Sequence, residues 1–203
     1  STAGELAEFF VATSFKDLPE KVVENTKMLM ADTIGSAVAA SESRSVQMIH
    51  QLTMERGGSE ESSIWVTKGL KAPVADAARA NAVMTDTLVI EESHQGVVAH
   101  LSTVDVPVAI ATGEKVEASG KEVIAAVALG YEASGRIGES ISPEYMYKHG
   151  FHNSVVTIFS GAVAAAKLLG LDQEQMTHAI VLAATFAGGL GGSRRTPARG
   201  LHA

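Results

Sequence analysis

Stripes of small apolar residues at helical spacing limit the fold of this chain more than any other feature. One stripe recurs every three or four residues, as one face of an α-helix does: Val22, Thr26, Leu29, Thr33 and Ala37. Because 46% of the residues are hydrophobic but only 5% are aromatic, the helices must pack through Ala, Val, Ile, Leu and Met. The sequence therefore predicts an all-α fold, a multi-helix bundle whose helices approach closely.

Helix-start signals divide the chain into successive helices. Ser119 begins a Ser-Gly-Lys-Glu capping box, Asp172 begins a second capped helix, and Thr2 is the predicted cap of the first. Residues 63–67 (SIWVT) alternate weakly, which predicts a short β element at most. Residues 145–152 are polar and aromatic without helical period and are predicted to be irregular. We expect all 203 residues to form a single helical domain.

Charge and cysteine content exclude several classes of function. The net charge of −7 argues against binding to nucleic acid and, less strongly, to an anionic membrane. The absence of cysteine excludes disulfides, thiolate nucleophiles and Cys-ligated metal sites. The longest apolar run, residues 155–169, contains Thr157, Ser160 and Lys167 and predicts a buried helix, not a membrane span. The opening residues lack the pattern of a signal peptide, so we expect a cytoplasmic protein.

Candidate chemistry is concentrated in residues 81–105 (NAVMTDTLVIEESHQGVVAHLSTVD). The carboxylates of Glu91 and Glu92 are followed by the imidazoles of His94 and His100. A segment with these groups and few large apolar residues is a poor core element. We predict a loop or helix end that the neighbouring helices hold open.

Five stretches, in this order, resemble one family. They are residues 30–40 (MADTIGSAVAA), 71–82 (KAPVADAARANA), 130–138 (GYEASGRIG), 150–172 (GFHNSVVTIFSGAVAAAKLLGLD) and 199–203 (RGLHA). Together they resemble the MmgE/PrpD family, which includes 2-methylcitrate dehydratase, cis-aconitate decarboxylase and iminodisuccinate epimerase. No single stretch is specific, but five in order over nearly the whole chain make the resemblance strong.

The resemblance implies a mostly helical first domain followed by a smaller α+β lid domain. The chain stops just after the Leu-His of the family's Lys-x-Leu-His-x-Gly motif, which indicates an incomplete helical domain without the lid. A truncation and a genuine short subunit are both compatible with this ending. The resemblance further implies a homodimer, or an assembly with the missing C-terminal portion, and catalysis on a small polycarboxylate without a metal or organic cofactor.

The resemblance also implies roles for two histidines and a pair of glutamates. His100 matches the histidine of a His-Pro-Ser motif, with Leu101 in place of proline, and would act as an acid or base; the alternative is a surface histidine. His152 matches a second active-site histidine, although it can also cap the helix that follows. Glu91 and Glu92 stand where the family has an Asp-Asp pair, to orient histidines or raise one another's pKa, or simply as a solvated helix end.

Candidate substrate-binding residues surround these positions. Ser93 matches a small hydroxyl residue after the acidic pair, and His94 is a weaker candidate. Lys148 precedes the Gly-Phe-His motif and could face an anionic ligand. Arg199 replaces the family's lysine and, with His202, ends the set; its guanidinium can clamp a carboxylate but cannot donate a proton at ordinary pH.

Two functions compete on these residues. The first is an enzyme that performs acid/base chemistry on a di- or tricarboxylate, as a hydro-lyase or a related isomerase or decarboxylase. Histidine, with an unperturbed pKa of ~6.5, suits the proton transfers that such a reaction needs. The second is a non-catalytic or split-enzyme subunit that binds a partner chain. Val89, where the family has an aspartate, and Arg199 motivate the second function; Asp86, one helical turn earlier, could substitute for that aspartate.

Overall fold

Helices dominate the part of the chain that the computed structural model describes, residues 1–152 and 154–192. Within these ranges the helices are α1 Thr2–Ala12, α2 Glu20–Ala40, α3 Arg44–Arg56, α4 Val74–Asp86, α5 Ser102–Lys115, α6 Gly120–Ile141, α7 Pro143–Lys148, α8 Ser154–Leu168 and α9 Gln173–Phe186. A 3-10 turn, Phe15–Asp17, lies between α1 and α2. The predicted all-α class is confirmed.

The β element is smaller than the sequence pattern indicated and lies slightly earlier. Strand β1 (Ser62–Ser63) pairs antiparallel with β2 (Lys71–Ala72), and most of residues 63–67 form the turn between them. Val66 has a φ of 55°, in the left-handed region, so the chain reverses where the pattern predicted an extended backbone. The two-strand pairing closes the connection between α3 and α4.

The helix starts follow the sequence signals with two differences, one at α1 and one at α7. Ser119 and Glu122 exchange the two hydrogen bonds of a capping box, and Asp172 caps α9 in the same manner. The cap of α1 is Ser1, not Thr2, because the Ser1 hydroxyl accepts a hydrogen bond from the third residue of the helix. Residues 145–152, predicted to be irregular, begin within α7, which Pro143 starts at its first turn.

Helix α8 packs against α6, α5 and α9, and α5 packs in addition against α4 and α6. One core cluster joins α1, α6, α8 and α9; its largest members are Phe10, Leu129, Phe159, Met176 and Ile180. A second cluster, between α5, α6 and α8, consists mostly of alanine and valine. No helix in the described ranges is both long and apolar enough to cross a membrane.

Two glycines of α6 allow neighbouring segments to come unusually close. A Cβ at Gly130 would lie 2.2 Å from Oδ1 of Asp105 and 2.6 Å from the backbone oxygen of Ser160. A Cβ at Gly138 would lie 2.5 Å from a methyl group of Val97. The glycines of the stretch GYEASGRIG therefore permit α5, α8 and the segment before α5 to contact the α6 backbone.

Candidate active site

Residues 87–101 form an irregular connection between α4 and α5, called here the 87–101 loop, as the sequence predicted. The expectation that this segment is a poor core element was wrong for its second half. Val97, Ala99 and Leu101 are fully buried and pack with Met146 of α7 and Val156 of α8. The second half of the loop is therefore anchored in the core.

The 87–101 loop contains two valines in the left-handed region, Val89 at φ 57° and Val98 at φ 55°. This conformation is an outlier for β-branched residues and costs roughly 1–3 kcal/mol for each. Asparagine tolerates the same conformation at a lower cost.

Relief of this strain gives a testable prediction at Val98, whose side chain is 47% exposed. Val98→Asn should raise the free energy of unfolding by about 0.5–1 kcal/mol, because it removes strain and forfeits little apolar burial. Urea denaturation measures the change. Val66→Asn is the matched variant outside the loop, with the same φ and 52% exposure, and should behave alike. A loss of stability in both variants would contradict the account.

The hydrogen bonds of His100 define its tautomer. Its Nδ1 lies 2.8 Å from the backbone oxygen of Glu92 and 3.3 Å from that of Glu91. A carbonyl oxygen can only accept, so Nδ1 carries the hydrogen and, in the neutral ring, Nε2 carries the lone pair. The side chain is 21% exposed, so it is neither sealed in the core nor freely solvated. This geometry suits a general base that acts through Nε2.

Glu91 lies close to the imidazole of His100, and its side chain is fully buried. Its Oε1 is 3.4 Å from His100 Nδ1, and its Oε2 accepts a hydrogen bond from the backbone N–H of Ile90. Burial raises the pKa of Glu91, and positive charge on His100 opposes that effect. Glu91 is thus placed to balance charge on the ring when His100 takes up a proton.

Glu92 is fixed by protein groups on every side. Its Oε1 accepts from the backbone N–H of Ser102, and its Oε2 accepts from the hydroxyl of Tyr131, both at 2.8 Å. Its backbone N–H donates to Oδ2 of Asp32, and its backbone oxygen receives His100 Nδ1–H. Glu92 therefore caps α5 and holds the loop in place. Asp32 and Tyr131 were not among the predicted site residues, although both lie in stretches quoted for the family resemblance.

His94 and Ser93 occupy different surroundings. The Nδ1 of His94 accepts from the backbone N–H of Val97 at 3.2 Å, so the hydrogen of the neutral ring is on Nε2, 4.0 Å from Glu139 Oε1. Its ring centre is 5.6 Å from that of Tyr131. The side chain of Ser93 is exposed. His94 therefore packs on α6, and Ser93 is accessible to a ligand.

His152 caps the helix that follows it, as the alternative interpretation of its position predicted. Its ring Nδ1 accepts from the backbone N–H of Ser154 at 3.1 Å, and the backbone N–H of His152 donates to the backbone oxygen of Gly189 at 3.0 Å. Lys148 is exposed at the end of α7. Arg199 and His202 lie outside the described residues.

The chain segments that carry His100 and His152 pack against one another. Val97 and Leu101 of the 87–101 loop share a buried cluster with Met146 and Val156, which flank His152 in sequence. The structure thus brings the loop and the α7–α8 connection together. The convergence of the two imidazoles on one ligand stays a prediction.

A buried acid that sequence analysis missed lies below this site. Asp105 is fully buried, and neither of its oxygens accepts a hydrogen bond of normal geometry from the described part of the chain. Burial raises the pKa of Asp105 well above its usual value, and the negative charge of Glu92 adds to the effect. Its position three residues after Ser102 on a predicted helix face gave no signal of this burial.

Asp105 makes stability depend on pH. Because its folded-state pKa is raised, the folded state binds more protons than the unfolded state above about pH 4, and stability falls as pH rises through the folded pKa. Asp105→Asn should be more stable than the wild type by about 1–3 kcal/mol at pH 7, and the difference should shrink towards pH 4. Urea denaturation at both pH values measures it. A difference independent of pH would contradict the assignment.

Comparison with known proteins assigns this chain, a helical scaffold with an oriented histidine beside carboxylates, to one class of protein. The chain is a member of the MmgE/PrpD family: the model of the MmgE/PrpD N-terminal domain matches residues 4–203. Two curated relatives are similar to it. Cis-aconitate decarboxylase of Aspergillus terreus is 28% identical over 180 residues, and the cis-aconitate decarboxylase-like protein oryM of Aspergillus oryzae is 24% identical over 200 residues.

These alignments cover most of this chain and a minor part of each relative. They include 86% and 94% of this chain but 36% and 41% of the two relatives. The chain therefore spans well under half of the length of the curated relatives it matches. The resemblance seen in the sequence is confirmed at the level of the family.

Proposed function

We propose that this chain is the helical N-terminal part of an enzyme that performs acid/base chemistry on a small di- or tricarboxylate. The observation that carries the proposal is the geometry of His100, with Nδ1–H donated to a backbone carbonyl and Nε2 left as a base. Family membership and the names of the relatives support a lyase-type reaction.

In this proposal His100 transfers the proton at the carbon beside a substrate carboxylate. Nε2 would accept that proton in a dehydration or epimerisation, or return one to the carbon after loss of carbon dioxide. Glu91, 3.4 Å from Nδ1, would stabilise the imidazolium that forms. His152, whose Nδ1 is engaged in a helix cap, would offer only Nε2 for a second proton transfer.

Cationic side chains would hold the substrate carboxylates. Lys148 is exposed beside the α7–α8 connection, and Arg199 and His202 follow later in the chain. Ser93 would add a hydroxyl from the loop. The pocket would be completed by polypeptide that corresponds to the rest of the relatives, because the match covers only 36% of one of them.

Turnover assays with the full-length protein test the proposal. Cis-aconitate, 2-methylcitrate, citrate and an aminodicarboxylate would be offered in turn, with product identified by NMR. Decarboxylation of the first, dehydration of the second or third, or epimerisation of the last would each support the proposal and name the reaction. The absence of turnover and of binding across the panel would refute it.

A second function, a split-enzyme or non-catalytic subunit, is favoured by one observation. The outer face of α9 is apolar, with Val181, Leu182 and Phe186 exposed, the last to 76%. An apolar face of this kind is typical of a surface that other polypeptide covers. Light scattering on the purified protein separates the two: a stable complex with a different chain supports a split enzyme, and a homodimer that binds dicarboxylates supports the first function.

A further inference from the structure

Glu92 is the point at which three helices meet the loop that carries His100. Its backbone N–H donates to Asp32 of α2, its Oε2 accepts from Tyr131 of α6 and its Oε1 accepts from Ser102 of α5, each at 2.8 Å. Its backbone oxygen lies 2.8 Å from Nδ1 of His100. All four hydrogen-bonding groups of this residue are therefore engaged at once.

This arrangement fixes the direction of one carbonyl group. The peptide on the N-terminal side of Glu92 is held to α2 and the side chain is held to α5 and α6, so Glu92 cannot turn without breaking a hydrogen bond. The carbonyl of Glu92 therefore stays aimed at His100. A carbonyl accepts only from a protonated nitrogen, and the Glu92 carbonyl, 2.8 Å from Nδ1, is closer than the Glu91 carbonyl at 3.3 Å. The anchors of Glu92 therefore hold in place the nearer of the two carbonyls that keep the hydrogen of His100 on Nδ1.

We propose that Asp32 and Tyr131 are positioning residues that keep His100 in the tautomer with hydrogen on Nδ1, and that they act only through Glu92. The inference rests on the proposed function of His100 as a general base, which requires a free Nε2. Asp32 and Tyr131 precede and follow Glu92 by 60 and 39 residues, so the loop depends on two remote helices for its chemistry.

The tautomer of His100 is measured directly by ¹⁵N NMR of histidine-labelled, full-length protein, with the signal assigned through its loss in His100→Asn. Tyr131→Phe removes only the hydroxyl, and Asp32→Ala removes the acceptor for the Glu92 N–H. Asp32→Asn keeps an acceptor oxygen and serves as the rescue variant. Tyr145→Phe, on the exposed surface of α7, is the matched control for the loss of a hydroxyl.

The wild type should have His100 with hydrogen on Nδ1. Tyr131→Phe and Asp32→Ala should populate the other tautomer and lower kcat by about 10-fold to 100-fold, with KM changed less, because the base is misplaced rather than removed. Asp32→Asn and Tyr145→Phe should match the wild type in both measurements.

The wild-type tautomer and wild-type kcat in both Tyr131→Phe and Asp32→Ala would overturn the proposal. If Tyr131→Phe does not fold, the Asp32→Ala and Asp32→Asn pair decides, since Asp32 is exposed on α2 and its replacement leaves the core intact. The variants could change the His100 tautomer while the wild type turns over no carboxylate. That result would support the positioning role and count against the proposed function.

Discussion

His100→Asn is expected to lower kcat/KM on the protein's substrate by roughly 10²–10⁴-fold, the contribution of a positioned general acid or base. Asparagine can keep an N–H donor towards the Glu92 carbonyl, so the loop should hold its shape while the base at Nε2 is lost. The measurement is steady-state kinetics on the substrate that the turnover assays identify.

The control for this variant is His178→Asn, which changes an exposed histidine of α9 and should leave kcat/KM unaltered. Thermal unfolding of both variants within a few degrees of the wild type would show that the fold is intact. If His100→Asn kept more than about a tenth of the activity, His100 would not be the base, since that loss is far below the range for general catalysis.

Gly130→Ala is expected to destabilise the protein by about 3 kcal/mol or more, at the upper end of the cost of overpacking a core. The new Cβ would lie 2.2 Å from Asp105 Oδ1 and 2.6 Å from the backbone oxygen of Ser160. The Asp105 carboxyl can rotate, but the Ser160 oxygen belongs to α8 and moves only if the helix does. Urea denaturation measures the loss.

Gly35→Ala on α2 provides the matched control, because a Cβ there meets nothing within 4 Å. This variant should gain about 0.5–1 kcal/mol, the ordinary preference of a helix interior for alanine over glycine. Combining Gly130→Ala with Asp105→Ala should recover part of the stability and leave the clash with Ser160. Equal effects of Gly35→Ala and Gly130→Ala would show that close approach at Gly130 is not what limits the substitution.

Much of the fold could be predicted from local signals in the sequence. The capping box at Ser119 and the cap at Asp172 both mark helix starts that the structure contains. The predicted short β element is present, but its strand ends at Ser63, because alternation over so few residues does not encode the turn at Val66. The family was identified correctly because five weak motifs occur in order.

The site was predicted less completely, because its hydrogen bonds join residues that are distant in the sequence. Glu91 and His100 lie together, as two positions on the same short loop would suggest. Asp32 and Tyr131 join them only through the crossing of α2 and α6 with the loop, which no local pattern encodes. In the sequence Asp105 occupies an ordinary helix position. Its burial depends on Gly130 of α6, which lies opposite it and leaves room for close contact.

Protonation of His152 would affect the start of α8, because the ring of His152 caps that helix. Since Nδ1 of His152 accepts the N–H of Ser154, a doubly protonated ring would turn a donor towards a donor and release the first turn of α8. If His152 takes part in proton transfer as proposed, its doubly protonated form would therefore loosen the start of α8.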